Sequence, residues 1–431
     1  MGRRSMMAFA LTIALGLCAT PASARKKREE LPPPTTGLID NVNGLAVGKD
    51  GQLTHFTGLL IGQDGRVERR LSPDEKRPDR LIYRHDAQGK TLLPSLADGH
   101  SRVIETGLRL MTLDLSKTRS IGEAQAKITA YAQAHPGNKW ILGGGWDAAH
   151  WGMAEQPATA QLDAAVSDTP AWLTSSDGRH GWANSAALRL AKLKAPGTLS
   201  GAAKQQMERI IPRPSPKDRD IALDKAQRYY IARGISMVAD MGTSIDDWQA
   251  YRRAGDRGAL RIRIIGYADG IDDMVTIAGP GPSPWLYEDR LRLVGVHLPV
   301  NSQADTTRLR NQVSRAAMDG FQIALSPDSP ANEQEAHDTI AEVADSYTGD
   351  RRWRVESVQQ ATPLSATSRA AYNAFAETRI GALEPGQWAD FLILDGDIHD
   401  ATAQQAGDAQ ILEHWIAGRR AWVKGEAKTV R

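Results

Sequence analysis

The residues best placed to do chemistry end an apolar run: Leu92-Leu93-Pro94-Ser95-Leu96-Ala97-Asp98-Gly99-His100-Ser101-Arg102. Along an extended strand, residues two apart face the same side. Two imidazoles at that spacing can grip one metal ion from the inside of a barrel. Here His100 holds the first position and Arg102 the second. A guanidinium is permanently charged and offers no lone pair to a cation. The strand therefore presents one possible metal ligand and one fixed positive charge on the same face.

The elements that would carry such a strand follow a clear order. Gly2-Arg3-Arg4, an apolar run from Met6 to Ala19 and Ala22-Ser23-Ala24 have the layout of a secretory signal peptide over 1–24. The run is shorter than the ~20 residues that a membrane-spanning helix needs. Residues 25–35 are charged and then Pro-rich, which suits a linker. Residues 36–93 hold short apolar runs between turn signals such as Asp64-Gly65 and read as a small β module. From Pro94 onwards strand-like runs alternate with helical ones. Trp140-Ile141-Leu142-Gly143, Ala171-Trp172-Leu173-Thr174, Ser236-Met237-Val238-Ala239 and Leu293-Val294-Gly295-Val296 are strand-like, and 121–134 and 218–233 are helical. That alternation implies a parallel α/β sheet over 94–380. The last segment, 381–427, returns to short strands at 391–394 and 420–423.

Six stretches carry a resemblance: 92–100, 140–146, 177–188 (Asp-Gly-Arg-His-Gly-Trp-Ala-Asn-Ser-Ala-Ala-Leu), 238–248, 349–359 and 380–394. Together they resemble the amidohydrolase-3 branch of the amidohydrolase superfamily, which includes N-substituted formamide deformylase-like proteins. The most specific is Gly381-Ala382-Leu383-Glu384-Pro385-Gly386-Gln387-Trp388-Ala389-Asp390, an element of the β module that carries no chemistry. The resemblance implies a TIM-like (β/α) barrel over 94–380. It also implies a β-sandwich module composed of 36–93 and 381–427, and metal-dependent hydrolysis at the C-terminal ends of the barrel strands.

Set against that family, the ligand positions are eroded. His100 is kept and Arg102 replaces its partner. His297, in Leu293-Val294-Gly295-Val296-His297, stands where relatives carry a metal-bridging lysine. Ser326 and Ser357 stand at two further histidine positions, and a serine hydroxyl is a poor ligand for a divalent transition metal. Among substrate-lining positions, Arg179 replaces a histidine beside His180, and Asp147 and Trp151 follow the Gly143-Gly144-Gly145 turn. No segment carries the aspartate expected at the end of the eighth strand. Residues 358–379 are fewer than the ~30 of a βαβ unit and hold a helical pattern at 365–377, so the barrel reads as incomplete, lacking strands 7 and 8.

Composition excludes other chemistry. The single cysteine, Cys18, lies in the signal segment, so disulfides and Cys-type metal sites are ruled out for the mature chain. The formal charge is +2, and no nucleic-acid motif or later membrane span is found. There is no Gly-x-Ser-x-Gly elbow and no P-loop.

Two readings stay open. In the first, the chain is a secreted, periplasmic homologue that has lost metal-dependent C–N bond hydrolysis and holds no metal. It would bind a small molecule, a second copy of itself or an active relative, because an incomplete barrel leaves unpaired strand edges. In the second, His100 and His297 hold one zinc ion in a reduced site acting on non-peptide amide-type bonds.

Overall fold

The computed structural model describes residues 34–47, 52–194, 197–301, 305–347, 349–356, 363–396, 398 and 409–426. The expected signal segment, most of the linker and Ser357 lie outside the described residues.

Strands from both ends of the chain share one sheet. β1 (Thr36–Val47), β2 (Leu53–Gly62), β3 (Val67–Leu71), β4 (Arg84–Asp86) and β5 (Thr91–Pro94) come from the N-terminal part. β17 (Phe391–Asp395), β18 (Gln410–Ile416) and β19 (Arg419–Val423) come from the C-terminal part. Their order is β19-β18-β17-β5-β1-β2-β3, with β4 beside β1. The seam is antiparallel, with Leu92 opposite Ile393 and Leu93 opposite Leu392. Ile39, Leu59, Leu92, Phe391, Ile393 and Trp415 fill the core beneath it.

β6 (Leu96–Ser101) and α1 (Val103–Arg109) lead out of this sheet. The chain then builds a separate five-stranded sheet from β7 (Leu113–Asp114), β8 (Ile141–Trp146), β9 (Ala171–Ser175), β10 (Gly181–Ala183) and β11 (Thr198–Leu199). Helices α2 (Ile121–Ala134), α3 (Thr159–Asp163), α4 (Ser185–Ala191) and α5 (Gly201–Ile210) accompany it. The runs at 140–143 and 171–174 therefore do not join the main parallel sheet. β8 and β9 are parallel, but β10 turns back antiparallel on β9.

The main sheet resumes with α6 (Pro216–Ile231), β12 (Ile235–Thr243), α7 (Ile245–Asp256), β13 (Arg263–Ala268), α8 (Ile271–Ala278) and β14 (Leu291–Val300). It continues with α9 (Thr306–Met318), β15 (Gln322–Pro327), α10 (Pro330–Ala344) and β16 (Arg354–Val355). The order β16-β15-β14-β13-β12-β6 is parallel at every step, a curled half-barrel. Strand alternation divides its side chains. Val238, Ile264, Val296 and Ile323 pack outward with helix residues such as Tyr251, Met274 and Val313. Met237, Ala239, Met241, Ile265, Tyr267 and Ala324 point to the other side.

That inner side is filled by α11 (Pro363–Asn373). Ala370, Ala371 and Ala374 belong to the same core cluster as Met237, Met241 and Ile265. The Ala97 amide, on β6, donates to the Thr367 hydroxyl at 3.2 Å. A β-carbon on Gly99 would stand 3.4 Å from that of Ala370, so small residues on both sides permit the approach. Near the other margin, Arg352 donates to the Tyr372 carbonyl and stacks over Tyr372 at 3.9 Å and Phe375 at 4.1 Å. Tyr267 of β13 donates to the Asn373 carbonyl at 3.2 Å.

The 381–390 element locks the two sheets together. Asp390 accepts from the buried Arg263 guanidinium at 3.2 Å and from the Ala417 amide at 2.8 Å. Trp388 donates to Asp289 at 3.1 Å beneath the Arg66 guanidinium. Among the described residues, no helix is long and apolar enough to cross a membrane.

Candidate functional site

The C-terminal ends of β6, β14, β15 and β16 bring several of the expected residues together. His100 and His297 meet edge to face, with ring centroids 5.9 Å apart. His297 is buried, and its Nε2 lies 2.8 Å from the Ser326 hydroxyl. Its Nδ1 has no hydrogen-bond partner among the described residues. Burial, reinforced by the positive charge of Arg102, pushes the His297 pKa down to about 4, so the ring is neutral at pH 7. His100 is more exposed, and its Nδ1 lies 3.5 Å from the Glu356 carboxylate. Burial works to raise the Glu356 pKa, but hydrogen bonds with His100 and Arg354 outweigh it and hold the carboxyl below its ordinary value. Arg354 grips Glu356 at 2.5 Å and Tyr267 at 3.0 Å, fixing the carboxylate from behind.

Arg102 takes a different course. Its guanidinium lies 3.7 Å from Asp269 and 3.8 Å from Glu105. It rests against Gly242 of β12, where a β-carbon would come within 2.7 Å of Arg102 Cζ. Between His100 and Arg102, Ser101 faces outward and bonds to Tyr230 at 2.6 Å. Asp98 accepts the His100 amide at 3.0 Å, and burial raises its pKa. Beside the cluster opens a cavity of about 1060 Å³, with Asp269, Asp272, Asp273, His297 and Asp305 in its wall.

Asp147 and Trp151 lie in the segment after β8, and Arg179 and His180 in the turn between β9 and β10, beside the five-stranded sheet. Asp147 is exposed and accepts the Ala149 amide at 2.9 Å. Trp151 is buried, packs against Trp146 and Trp182 at 6.2 Å from each, and donates to the Thr118 carbonyl at 3.1 Å. Arg179 is exposed on the turn after β9, and the His180 amide donates to the Ser175 hydroxyl at 3.0 Å. Among the described residues, no hydrogen bond or ion pair joins this group to the histidine cluster.

Sequence reasoning did not single out Asp269, Gly242 or Glu356 as site residues. Asp269 follows directly on β13 (Arg263–Ala268), and a polar residue ending a barrel strand is a usable signal. Glu356 lies two residues beyond Arg354 on the same strand face.

A catalytic zinc needs at least three protein ligands. Among the described residues, no group of three His, Cys, Asp or Glu side chains is placed to hold a metal ion. The donors among the described residues do not by themselves make up the ligand set of a catalytic zinc.

Comparison with known proteins places these observations. A model of the amidohydrolase family, of the amidohydrolase-3 branch, matches residues 85–365. Protein LONG AFTER FAR-RED 3 of Arabidopsis thaliana is 26% identical over 335 residues, covering 65% of this chain and 57% of that protein. N-substituted formamide deformylase of Arthrobacter pascens is 24% identical over 199 residues, covering 41% of this chain and 37% of the enzyme. The chain thus spans less than two thirds of these curated relatives. Among solved structures, an uncharacterized metal-dependent hydrolase from Pyrococcus horikoshii aligns with a TM-score of 0.66 at 16% identity, covering 87% of this chain and 99% of its own. A second, from Pyrococcus furiosus, aligns with a TM-score of 0.63 at 18% identity, covering 84% and 99%. At such identities the likeness shows the fold.

Proposed function

The chain belongs to the amidohydrolase family, and from that premise we propose that it is a member whose barrel mouth has given up metal-dependent hydrolysis for binding. One observation carries this reading. The Arg102 guanidinium, seated on Gly242 and paired with Asp269, puts a fixed positive charge where a metal ligand is expected. That charge opposes a divalent cation and favours a neutral His297. The remaining polar groups are partly engaged with one another: His100 with Glu356, and His297 through its Nε2 with Ser326. The cavity beside them has the volume of a small-molecule pocket.

In the same reading, the barrel has lost its seventh and eighth strands, and α11 closes the gap. Its contacts with Ala97 on β6 and with Arg352 before β16 support this. The sheet of the two chain ends serves as the family's β-sandwich module. Residues 1–24 direct export to a periplasm, where the chain meets its small molecule, another copy of itself or an active relative.

The test is metal content and activity together. Full-length chain, produced with added zinc, is assayed for bound metal by plasma mass spectrometry and for hydrolysis of N-formyl amines. Substoichiometric zinc and no turnover are expected. A second reading, a reduced zinc site, is favoured by the 5.9 Å approach of the His100 and His297 rings. Stoichiometric zinc that is lost in His100→Ala would establish that reading instead.

A further inference from the structure

We infer that the cleft between the foot of the barrel and strands β18 and β19 binds a small molecule carrying a carboxylate or phosphate group on an apolar body. This site lies apart from the barrel mouth and does not depend on the function proposed for it. The cleft has a volume of about 450 Å³, and Arg261, Arg290, Arg419 and Arg420 contribute to its wall. Glu288 is the one carboxylate in that wall. Two of the arginines are already paired: Arg261 with Asp224 at 2.6 Å, and Arg420 with Glu413 at 3.7 Å.

The other two are not. Arg290 is half-buried, and among the described residues its guanidinium makes a single hydrogen bond, to the Arg261 carbonyl at 2.7 Å. Neither Arg290 nor Arg419 forms an ion pair among the described residues. Burial lowers the Arg290 pKa; the charges of Asp390 and Glu288 offset this in part without bonding to the guanidinium, and the positive charge of Arg419 lowers it further. Holding an unpaired charge out of water is costly. An oxyanion between the two would relieve both the repulsion and the open donors, with the forked geometry that arginine favours. Leu260, Ile416 and Ala421 supply an apolar wall for the rest of the ligand.

The backbone leading to Arg290 is fixed at some cost. Tyr287, Glu288 and Asp289 have successive φ values of 54°, 54° and 61°, the left-handed region that side chains disfavour. Tyr287 is held by Asp256 at 2.6 Å, and Asp289 by Arg379 at 2.6 Å and Arg66 at 3.0 Å. Strain over-determined in this way is a feature of ligand clamps.

The experiment uses phenyl phosphate and benzoate as probes on the full chain. Thermal unfolding is followed at millimolar probe and in sodium chloride of matched ionic strength. At least one probe is expected to raise Tm beyond chloride, with apparent affinity at least tenfold weaker in R419Q. Arg419 is exposed, so that variant keeps its fold, and R290Q/R419Q is expected to abolish the shift. No shift beyond chloride with either probe, or equal shifts in wild type and R419Q, overturns the proposal.

Discussion

The Arg102 guanidinium lies against the backbone of Gly242, 2.7 Å from where a β-carbon would stand. Gly242 also has a φ of +149°, which other residues rarely adopt. Gly242→Ala should therefore destabilise the protein by about 2–4 kcal/mol, from backbone strain and from the displaced guanidinium. Urea unfolding of G242A, R102A and the double variant separates the two. R102A should recover part of the G242A loss, and strict additivity would show that the contact itself contributes nothing.

Arg102→His removes the fixed charge and restores imidazoles two residues apart. Zinc titration calorimetry should show binding at least tenfold tighter than in wild type. Unchanged affinity would show that positions 100 and 102 cannot share a ligand.

Thr367→Val deletes the acceptor for the Ala97 amide while keeping the shape of the side chain. A loss of about 1–2 kcal/mol is expected for the orphaned donor. Hydrogen exchange gives the sharper reading: the Ala97 amide should exchange faster, with the Val238 amide unaffected.

Asp390→Asn leaves the buried Arg263 guanidinium without its counter-charge. Breaking one side of such a pair costs about 3–5 kcal/mol, read as a lower urea midpoint. Burial already pulls the Arg263 pKa down to about 10, which reflects how little solvent compensates that charge.

Acid should weaken the fold through His414. Its Nδ1 donates to the Ile231 carbonyl at 2.8 Å and its Nε2 accepts from the Ser95 hydroxyl at 2.9 Å, so the native ring is neutral. Burial pushes its pKa from 6.5 down to about 4. Between those values the unfolded chain binds more protons, so stability falls as pH drops through that window, by up to about 3 kcal/mol. Asp240 acts in the opposite sense, since burial raises its pKa to about 6 and the folded state then binds the extra proton. Unfolding of His414→Gln across this range should show a shallower loss on acidification than wild type.

The half-barrel was largely legible because Val238, Ile264, Val296 and Ile323 recur in short apolar runs separated by helical spacing. The helix expected at 121–134 forms over Ile121–Ala134, where Ser120 accepts the Glu123 amide. Sheet membership was not legible. Ile141 and Ala171 sit in runs of the same character as the barrel strands, and only their pairing partners assign them to another sheet. The helix expected at 365–377 forms over Pro363–Asn373, and its placement inside the sheet depends on Ala370 meeting Gly99, a contact no local pattern encodes. At the site, His100 and His297 could be paired from strand ends alone. The seat of Arg102 on Gly242 joins two strands separated by the whole five-stranded sheet, so spacing gave no hint of it.

The pairing of β5 with β17 also sets an order of events. Leu92 finds Ile393 only after the long stretch of chain between them has been made. Such non-local pairing slows folding. Until β17 arrives, β5 has a free edge, and Leu92 and Leu93, both buried in the native state, remain uncovered. The hazard of misassembly therefore falls on the newly made N-terminal strands, in the interval before the C-terminal strands reach them.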